Sequence, residues 1–172
     1  VQAIIVLPSR ELAKQVLDVW RAMATPFRMT ALYGGRPLEQ EIASLGGAST
    51  SVIVGTPGRL LDHLNRLSFA VDKCTHLVID EFDKCLEMGF QDEMSKLVEK
   101  LPAVKSRILH SATDAAEIPH FAGAADIEKL DYRQGCGQPA VRTSFYTITT
   151  TPDKRLEKLF SLNDDAFLNI EI

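Results

Sequence analysis

Short apolar runs alternate with amphipathic helical patterns along most of this sequence, from Ala3 to Tyr132. Such alternation predicts an α/β fold with a parallel sheet flanked by helices on both faces and joined by right-handed crossovers. Because the carboxyl ends of parallel strands meet at one edge of a sheet, the turns that follow the strands are expected to collect there. The predicted strands are Ala3–Leu7, Met29–Tyr33, Ser51–Val54, Leu77–Ile79, Arg107–Leu109 and Ile127–Tyr132.

The helices between those strands are predicted from the helical spacing of apolar residues. They run from Ser9, as N-cap, to about Thr25, onward from Pro37, onward from Thr56, from Phe90 to about Leu101, and from Ile118 to Ala124. In the first helix, Trp20 lies on an apolar stripe with Val19 and Met23, so it is expected in the core rather than as a base-stacking platform. In the second helix, Leu38 and Ile42 are expected to face inward.

Composition narrows the classes of function. The chain has 172 residues, of which 45% are hydrophobic and 24% charged, and its formal net charge is −4. This balance excludes a polycation that binds nucleic acid by bulk attraction, so any such contact must use backbone amides and a few arginines. No apolar run reaches the roughly 20 residues of a membrane span, which predicts no membrane partner. Cys74, Cys85 and Cys136 lack metal-ligand spacing, and reduced cysteines predict a cytoplasmic setting.

Acidic and hydroxyl residues follow two of the predicted strands. The acids after Leu77–Ile79 are Asp80, Glu81 and Asp83. In nucleotide hydrolases, acids at this edge hold Mg²⁺ and position the attacking water. A core strand that leads into a solvated acidic turn explains the pattern equally well. Ser111 and Thr113 either bridge to neighbouring carboxylates or cap the next helix, and the sequence alone favours capping.

Two further strand ends have features that suit phosphate. Gly34-Gly35 is typical either of an ordinary turn or of a ligand that approaches the main chain closely. Thr56-Pro57-Gly58-Arg59 opens a helix, with Thr56 as the predicted cap and proline at the first position. The free N–H groups of such a helix end suit phosphate, and Arg59 is expected to add a charged donor beside them.

The C-terminal part of the sequence breaks the alternation. Arg133–Ala140 contains two glycines and a proline without apolar periodicity, so residues 133–143 are predicted to be a linker. The linker separates a first domain, residues 1–132, from residues 144–172. Within the latter, Ser144–Thr149 is β-rich and Asp153 to about Leu162 has a helical pattern. This segment of about 30 residues is too short to bury a core alone, so it packs on the first domain or begins a second one.

Five motifs, in this order, make the chain similar to the DEAD-box RNA helicases of superfamily 2. The similarity is strong over Val1–Thr113, and Phe145–Leu162 weakly resembles the first strand and helix of the family's second RecA-like domain. It implies a RecA-like fold of the P-loop NTPase type. The matching segments are Pro8–Ala13 (PSRELA for the family's PTRELA), Gly34-Gly35 (its glycine doublet), Thr56–Arg59 (TPGR), Val78–Asp83 (VIDEFD for VLDEAD) and Ser111–Thr113 (SAT).

The resemblance implies roles in an ATP-dependent RNA helicase. Asp80 and Glu81 would be the carboxylates at Mg²⁺, with Asp80 holding the ion through water and Glu81 orienting or activating the water that attacks ATP. Asp83 would hydrogen-bond to Ser111 or Thr113 and so couple hydrolysis to strand separation. Contacts to the RNA backbone do not read bases, so sequence preference should be low. The residues implied to make them are Pro8, Ser9, Arg10, Glu11, Gly34, Gly35, Thr56, Pro57, Gly58 and Arg59.

The sequence also departs from the family's pattern. Phe82 stands where the family has Ala, so a larger side chain must fit beneath the site. The sequence contains no GxxxxGK[ST] phosphate loop, no adenine-reading glutamine segment and none of the second domain's arginine-rich motifs. The chain is therefore expected to be an incomplete first domain that does not hydrolyse ATP alone, the enzyme being the intact parent.

Two alternatives stay open. One is a non-enzymatic RNA-binding or protein-interaction module that keeps the fold without the phosphate loop. The other is a different Mg²⁺-dependent phosphohydrolase that uses Asp80 and Glu81.

Overall fold

The computed structural model describes residues 1–46, 50–113, 118–123, 128–131, 149–155 and 157. Its strands are Ala3–Val6 (β1), Met29–Leu32 (β2), Val52–Gly55 (β3), His76–Ile79 (β4) and Ser106–Leu109 (β5). These five strands form one parallel sheet in the order β2-β3-β1-β4-β5. The first strand is therefore central in the sheet, between β3 and β4.

Helices alternate with these strands, which confirms the predicted α/β class. Four of the five helices lie where apolar spacing predicts them. The fourth, a helix of six residues directly after the acidic turn, was not predicted. The helices are Arg10–Ala22 (α1), Leu38–Gly46 (α2), Pro57–Asn65 (α3), Phe82–Glu87 (α4) and Gln91–Glu99 (α5).

The core consists of two clusters of apolar residues, one on each face of the sheet. On one face, Ile4 and Ile53 of the central strands pack in one cluster with residues of α3, α4 and α5, such as Leu60 and Met94. On the other face, Val54 belongs to a cluster that includes residues of α1. Alternate side chains along β1 and β3 therefore enter opposite clusters, because successive strand residues point to opposite faces.

Three residues that were expected inside are exposed: Val19 by 56%, Met23 by 62% and Ile42 by 41%. Val19 lies in the last turn of α1, and Met23 directly follows that helix. Helical spacing alone does not distinguish these two positions from Trp20 of the same turn. Trp20 is half-buried against the second cluster, and its indole N–H donates to the Phe27 carbonyl oxygen at 2.8 Å.

The C-terminal predictions have mixed outcomes. Residues 128–131 are not in a strand, so the expected strand Ile127–Tyr132 is absent from its described part. The helix predicted at Ile118–Ala124 is a 3₁₀ helix over His120–Ala122. Another 3₁₀ helix, Pro152–Lys154, lies near the start of the predicted C-terminal helix. The predicted linker Arg133–Ala140 lies outside the described residues, as does most of Ser144–Thr149.

Contacts divide the chain into two compact units, Val1–Glu128 and Lys129–Ile172. The sheet and helices α1 to α5 belong to the first unit. In the part of the chain that the structure describes, every helix is too short or too polar to cross a membrane.

Gly55, the last residue of β3, allows two strands to approach closely. A Cβ atom at this position would lie 2.1 Å from the Leu32 carbonyl oxygen and 3.0 Å from Cδ2 of Leu60. The same carbonyl oxygen accepts a hydrogen bond from the Thr56 amide at 3.2 Å. The turn after β3 is therefore held directly against the end of β2, and only glycine leaves room for it.

We predict that Gly55→Ala lowers the free energy of unfolding by about 3 kcal/mol, because the new methyl group meets backbone that cannot move aside. The matched control is Gly58→Ala, where a Cβ would have no heavy atom within 4 Å. Alanine in that helix turn should change stability by less than about 1 kcal/mol. Urea unfolding of both variants tests the prediction, and equal losses would contradict it.

Candidate functional site

The acidic turn begins where β4 ends. The Asp80 amide donates to the Val6 carbonyl oxygen at 3.0 Å, which ties the turn to the end of β1. Oδ1 of Asp80 accepts from the Glu81 amide at 2.9 Å. Glu81 has a left-handed backbone, with φ 49° and ψ 48°, and α4 begins directly after it. Such a conformation costs about 1 kcal/mol or more for a residue with a Cβ, so the surrounding hydrogen bonds must hold it.

His110 joins the acidic turn to the end of β5. Its carbonyl oxygen accepts from the Phe82 amide at 3.0 Å, and its own amide donates to the Ile79 carbonyl oxygen at 2.9 Å. Its ring Nδ1 lies 2.6 Å from Oδ1 of Asp80. Because an ionised carboxylate only accepts, this contact requires a proton on Nδ1. His110 was not predicted from the sequence as a site residue, although it directly precedes Ser111.

Asp83 and Thr113 form the second link between the two turns. The Thr113 hydroxyl donates to Oδ2 of Asp83 at 2.7 Å, and Asp83 is 8% exposed. This hydrogen bond is the main cause that lowers the pKa of Asp83 below its ordinary value. The Ser111 hydroxyl instead donates to the Thr113 carbonyl oxygen at 2.8 Å. Thr113 therefore bridges to a neighbouring carboxylate. The sequence alone had favoured a helix cap at this position.

The residue that stands where the family has Ala, Phe82, is buried beneath the acidic turn. Phe82 is 2% exposed and meets Phe121 edge-on, with ring centroids 6.5 Å apart. Cys85, one turn further along α4, is also buried, and burial raises the pKa of its thiol to about 12. A thiol with that pKa stays protonated and unreactive at neutral pH. Phe82 and Cys85 thus form an apolar floor under the carboxylates.

Three other turns lie at the same rim. Pro8 is buried after β1, and Oγ of Ser9 accepts from the Leu12 amide at 3.3 Å, so Ser9 caps α1 as predicted. Arg10 is exposed and its Nε lies 2.6 Å from a carboxylate oxygen of Glu11. Gly35, which follows β2, has φ +90°, and a Cβ there would lie 3.5 Å from Nη1 of Arg10. The turns after β1 and β2 are therefore neighbours.

The turn after β3 presents backbone to solvent. Thr56 occupies the N-cap position of α3 but its side chain makes no capping hydrogen bond, contrary to the expectation. Pro57 is buried at the first helical position, as predicted, and Gly58 is exposed. The first N–H groups of a helix have no partner within the helix, so this end can accept an anion.

Arg59 does not extend toward solvent as a free donor, which corrects the expectation drawn from the sequence. Its Nη1 donates to Oε2 of Glu41 at 2.9 Å, and its side chain is 17% exposed. Its Nη2 donates to the Arg36 carbonyl oxygen at 3.2 Å. The guanidinium is thus committed to the protein on both sides.

Glu41 is a buried carboxylate that the sequence analysis missed. It is 2% exposed and accepts from Arg59 and, at 3.1 Å through Oε1, from the Tyr33 amide. Nε2 of His63, which is fully buried, lies 3.0 Å from Oε2 of the same carboxylate. A detectable signal exists in the sequence, because Glu41 and His63 both lie on apolar faces of their helices, three residues after Leu38 and Leu60 respectively.

Exposed cations beside Gly34-Gly35 come from residues that the sequence analysis did not select. The guanidinium carbon of Arg36 lies 4.9 Å from the centroid of the Tyr33 ring, and Nζ of Lys14 lies 5.6 Å from it. Both cations are exposed while the ring itself is buried. The rim near β2 therefore has local positive charge although the whole chain is acidic.

Asp80 suits a metal ion that is shared with a phosphate ligand. No group of three or more His, Cys, Asp or Glu residues that could hold a metal occurs in the described part of the chain. Mg²⁺, however, is usually bound by one or two carboxylates together with water and substrate phosphates. Among the described residues, Oδ2 of Asp80 has no hydrogen bond, and the side chain is 34% exposed. The donor set therefore fits Mg²⁺ brought by a nucleotide rather than an all-protein cage.

A surface cavity of about 350 Å³ lies elsewhere, along the edge strand β2 and the end of α1. Its lining includes Trp20, Arg28 and Arg36 but none of the acidic or hydroxyl residues described above. The candidate site is therefore an open rim of the sheet rather than this cavity.

Strand order divides that rim into two halves. The turns after β2, β3 and β1 carry the glycine pair, the Thr56–Arg59 segment and the Pro8–Glu11 segment. The turns after β4 and β5 carry the acids and the hydroxyl residues. One half thus offers backbone N–H groups and cations, while the other offers carboxylates that can bind a metal and orient water.

Comparison with known proteins identifies relatives of this chain. The family model described as "DEAD/DEAH box helicase" matches residues 1–120. The ATP-dependent RNA helicase CshA of Listeria monocytogenes is 41% identical over 115 residues, which are 66% of this chain and 22% of that protein. The DEAD-box ATP-dependent RNA helicase CshA of Bacillus subtilis is 38% identical over 124 residues, 71% of this chain and 25% of that protein. The chain thus spans about a quarter of the length of the curated relatives it matches.

Solved structures agree with this fold. A DEAD box protein from the hyperthermophile Methanococcus jannaschii superposes with a TM-score of 0.62 at 34% identity, over 70% of this chain and 32% of that one. The DEAD-box helicase Mss116, in a structure described as bound to ssRNA and UDP-BeF, gives a TM-score of 0.58 at 29% identity, over 66% and 25% of the two chains. The fold is therefore RecA-like, as its neighbours are DEAD-box helicases.

We predict that Thr113→Val raises the pKa of Asp83 toward its ordinary value of 3.8, because the hydroxyl donor is removed. In the folded protein the pKa of Asp83 lies below its ordinary value of 3.8. The stability that the hydrogen bond contributes is therefore fully present above pH 3.8. It is lost as the pH falls through the pKa of Asp83 in the folded protein. The variant should thus be less stable than the wild type by about 1 kcal/mol at pH 7, and this difference should shrink below about pH 4. Carboxyl NMR titration with urea unfolding at both pH values tests this, and an unchanged Asp83 pKa would contradict it.

Proposed function

The chain belongs to the DEAD/DEAH box helicase family, and from this membership we propose that it forms part of an ATP-dependent RNA helicase. In this proposal, the whole protein couples ATP hydrolysis to the separation or remodelling of RNA duplexes. The proposal concerns the whole protein because its curated relatives are about four times longer than the matched region.

A single observation carries most of the proposal: the hydrogen bond of 2.7 Å between the Thr113 hydroxyl and Asp83. It joins the acidic turn after β4 to the hydroxyl turn after β5, and these turns follow neighbouring strands. A rearrangement of either turn must therefore affect the other. Such a link is what coupling between hydrolysis and movement of RNA requires.

The acidic half of the rim is proposed to act on ATP, which is the substrate. Asp80 would hold Mg²⁺, because among the described residues its Oδ1 is bound to the Glu81 amide and His110 while its Oδ2 has no hydrogen bond. When bound, the ion neutralises negative charge on the phosphates during transfer. The left-handed backbone of Glu81 orients its carboxylate at the rim, where it positions the attacking water and accepts its proton.

The other half of the rim is proposed to bind the RNA backbone. The exposed turns at Gly34-Gly35 and Gly58 offer backbone N–H groups, and Arg10 and Arg36 offer exposed charge. Contacts of this kind position a strand without reading its bases, so affinity should vary little with sequence. The relative Mss116, described as bound to ssRNA, supports this class of ligand.

A cytoplasmic location is part of the proposal. It is supported by Cys74 and Cys85, which are free and buried. Free thiols persist where the redox environment is reducing.

We predict that Glu81→Gln in the whole protein lowers RNA-stimulated ATP turnover by a factor of about 10² to 10⁴, the range for loss of a general base, while ATP binding persists. The matched control is Glu87→Gln at the end of α4, an exposed residue paired with Lys84. Its turnover should stay within about twofold, as for other exposed pairs.

Three outcomes of that assay would contradict the proposal. Full turnover by the Glu81 variant would remove the assigned role. RNA binding by the wild type without any ATP turnover would favour the non-enzymatic module. Turnover that does not respond to RNA would favour a different Mg²⁺-dependent phosphohydrolase.

We also predict that Asp83→Ala leaves ATP turnover nearly intact but lowers duplex unwinding by about tenfold, the size of a typical coupling between two sites. The reason is that Asp83 contacts Thr113 rather than the proposed position of ATP. Parallel ATPase and unwinding assays test this, with the exposed Asp92→Ala of α5 as control. An equal fall in both activities would show that Asp83 acts in hydrolysis itself.

A further inference from the structure

We propose that Glu41, together with Arg59 and His63, is a positioning group that clamps the Gly34-Gly35 turn in the shape that receives RNA, and that Arg59 is not itself a phosphate ligand. This inference rests on the proposed RNA-binding function. It assigns a positioning role to three residues that lie behind the proposed binding surface.

Both ends of the turn are tied to the same ion pair. Before the glycines, the Tyr33 amide donates to Oε1 of Glu41 at 3.1 Å. After them, the Arg36 carbonyl oxygen accepts from Nη2 of Arg59 at 3.2 Å. Arg59 and Glu41 are joined to each other at 2.9 Å. The four-residue turn is therefore closed by a chain of three hydrogen bonds that runs through two side chains.

The clamp is buried whereas the turn is exposed. Glu41 is 2% exposed and His63, whose Nε2 lies 3.0 Å from Oε2 of Glu41, is fully buried. Gly34 and Gly35 are both exposed, and Gly35 has φ +90°. A turn made of two glycines has high conformational entropy, so a fixed arrangement of its N–H groups needs restraint from outside the turn. Charge-assisted hydrogen bonds of low exposure supply that restraint.

The same clamp joins two strand ends. Glu41 lies on α2, which follows the turn after β2, whereas Arg59 and His63 lie on α3, which follows β3. The two turns proposed to touch RNA are therefore fixed relative to each other. A ligand that contacts both is met by donors already at their correct separation, which lowers the entropy cost of binding.

The positive charge of Arg59 is neutralised within the protein by the carboxylate of Glu41. A guanidinium that neutralises a buried carboxylate gains little by turning outward, since Glu41 would then be left as a buried charge with a lost partner. The exposed cations beside the turn are instead Arg36 and Lys14. Phosphate contacts are thus expected from those residues and from backbone N–H groups.

Two pairs of variants of the whole protein test this inference, with a labelled single-stranded RNA titrated over a range of salt concentrations. Glu41→Gln is compared with Glu39→Gln, an exposed acid of the same helix. Arg59→Ala is compared with Arg66→Ala, whose side chain is 56% exposed and follows α3. Glu39 and Glu41 are two residues apart, so bulk electrostatics predicts nearly equal effects for this pair. Arg59 and Arg66 lie at opposite ends of α3, so Arg66→Ala controls for the loss of one cation from that helix.

The clamp predicts unequal effects. Glu41→Gln should weaken RNA binding by about tenfold, although loss of an acid near RNA would by charge alone strengthen it. Arg59→Ala should weaken binding to a similar degree with no change in the slope of log affinity against log salt. In both variants, amide hydrogen exchange over residues 33–36 should accelerate while exchange in β1 and β4 stays unchanged.

Several results would overturn the inference. Arg59→Ala could lower the salt slope by about 0.7, the value for one phosphate contact on a single strand, which would make Arg59 a ligand. Glu41→Gln could bind as tightly as Glu39→Gln, or exchange over residues 33–36 could stay as slow as in the wild type. If the wild type bound no RNA, the proposed function would fail, and the exchange data would still decide whether the clamp exists.

Discussion

Parallel pairing of five short strands determines where everything else in this protein lies. Each strand pairs in parallel with its neighbours, so every strand ends at the same rim. Segments as far apart in sequence as Pro8 and Thr113 are thereby brought to one edge. The sheet achieves this with strands of only four residues, because strands with a buried face, such as the fully buried β2 and β3, leave little freedom of register. The chemistry of the rim then depends on which turn follows which strand.

Hydrogen bonds between turns give the rim its two halves. On the acidic side, Asp80 is held by His110 and Asp83 by Thr113, so the turns after β4 and β5 are joined twice. On the other side, Glu41 joins the turns after β2 and β3. Within each half, two of the turns are thus fixed to each other by side-chain hydrogen bonds. Turns fixed in this way suit a protein that must respond to one ligand while it holds another.

The sequence predicts the fold well because strand and helix periodicity are strong in it, and it predicts the rim because each motif follows a strand. It does not predict α4, because the left-handed residue Glu81 separates that helix from β4 and acidic residues, rather than an apolar stripe, surround its first residue. It makes Arg59 a charged donor to phosphate because a sequence does not show that a buried partner, Glu41, lies across from it. Met23 is exposed directly after the end of α1, and apolar spacing alone does not predict that the helix ends before it.

The central claim is that nucleotide and RNA meet the two halves of one rim. A crystal structure of the whole protein with single-stranded RNA, Mg²⁺ and a non-hydrolysable ATP analogue tests it most directly. The account predicts RNA phosphates within hydrogen-bond distance of the amides near Gly35 and Gly58, with the nucleotide and its ion beside Asp80. RNA on another surface, or an ion bound without any contribution from Asp80, would contradict it.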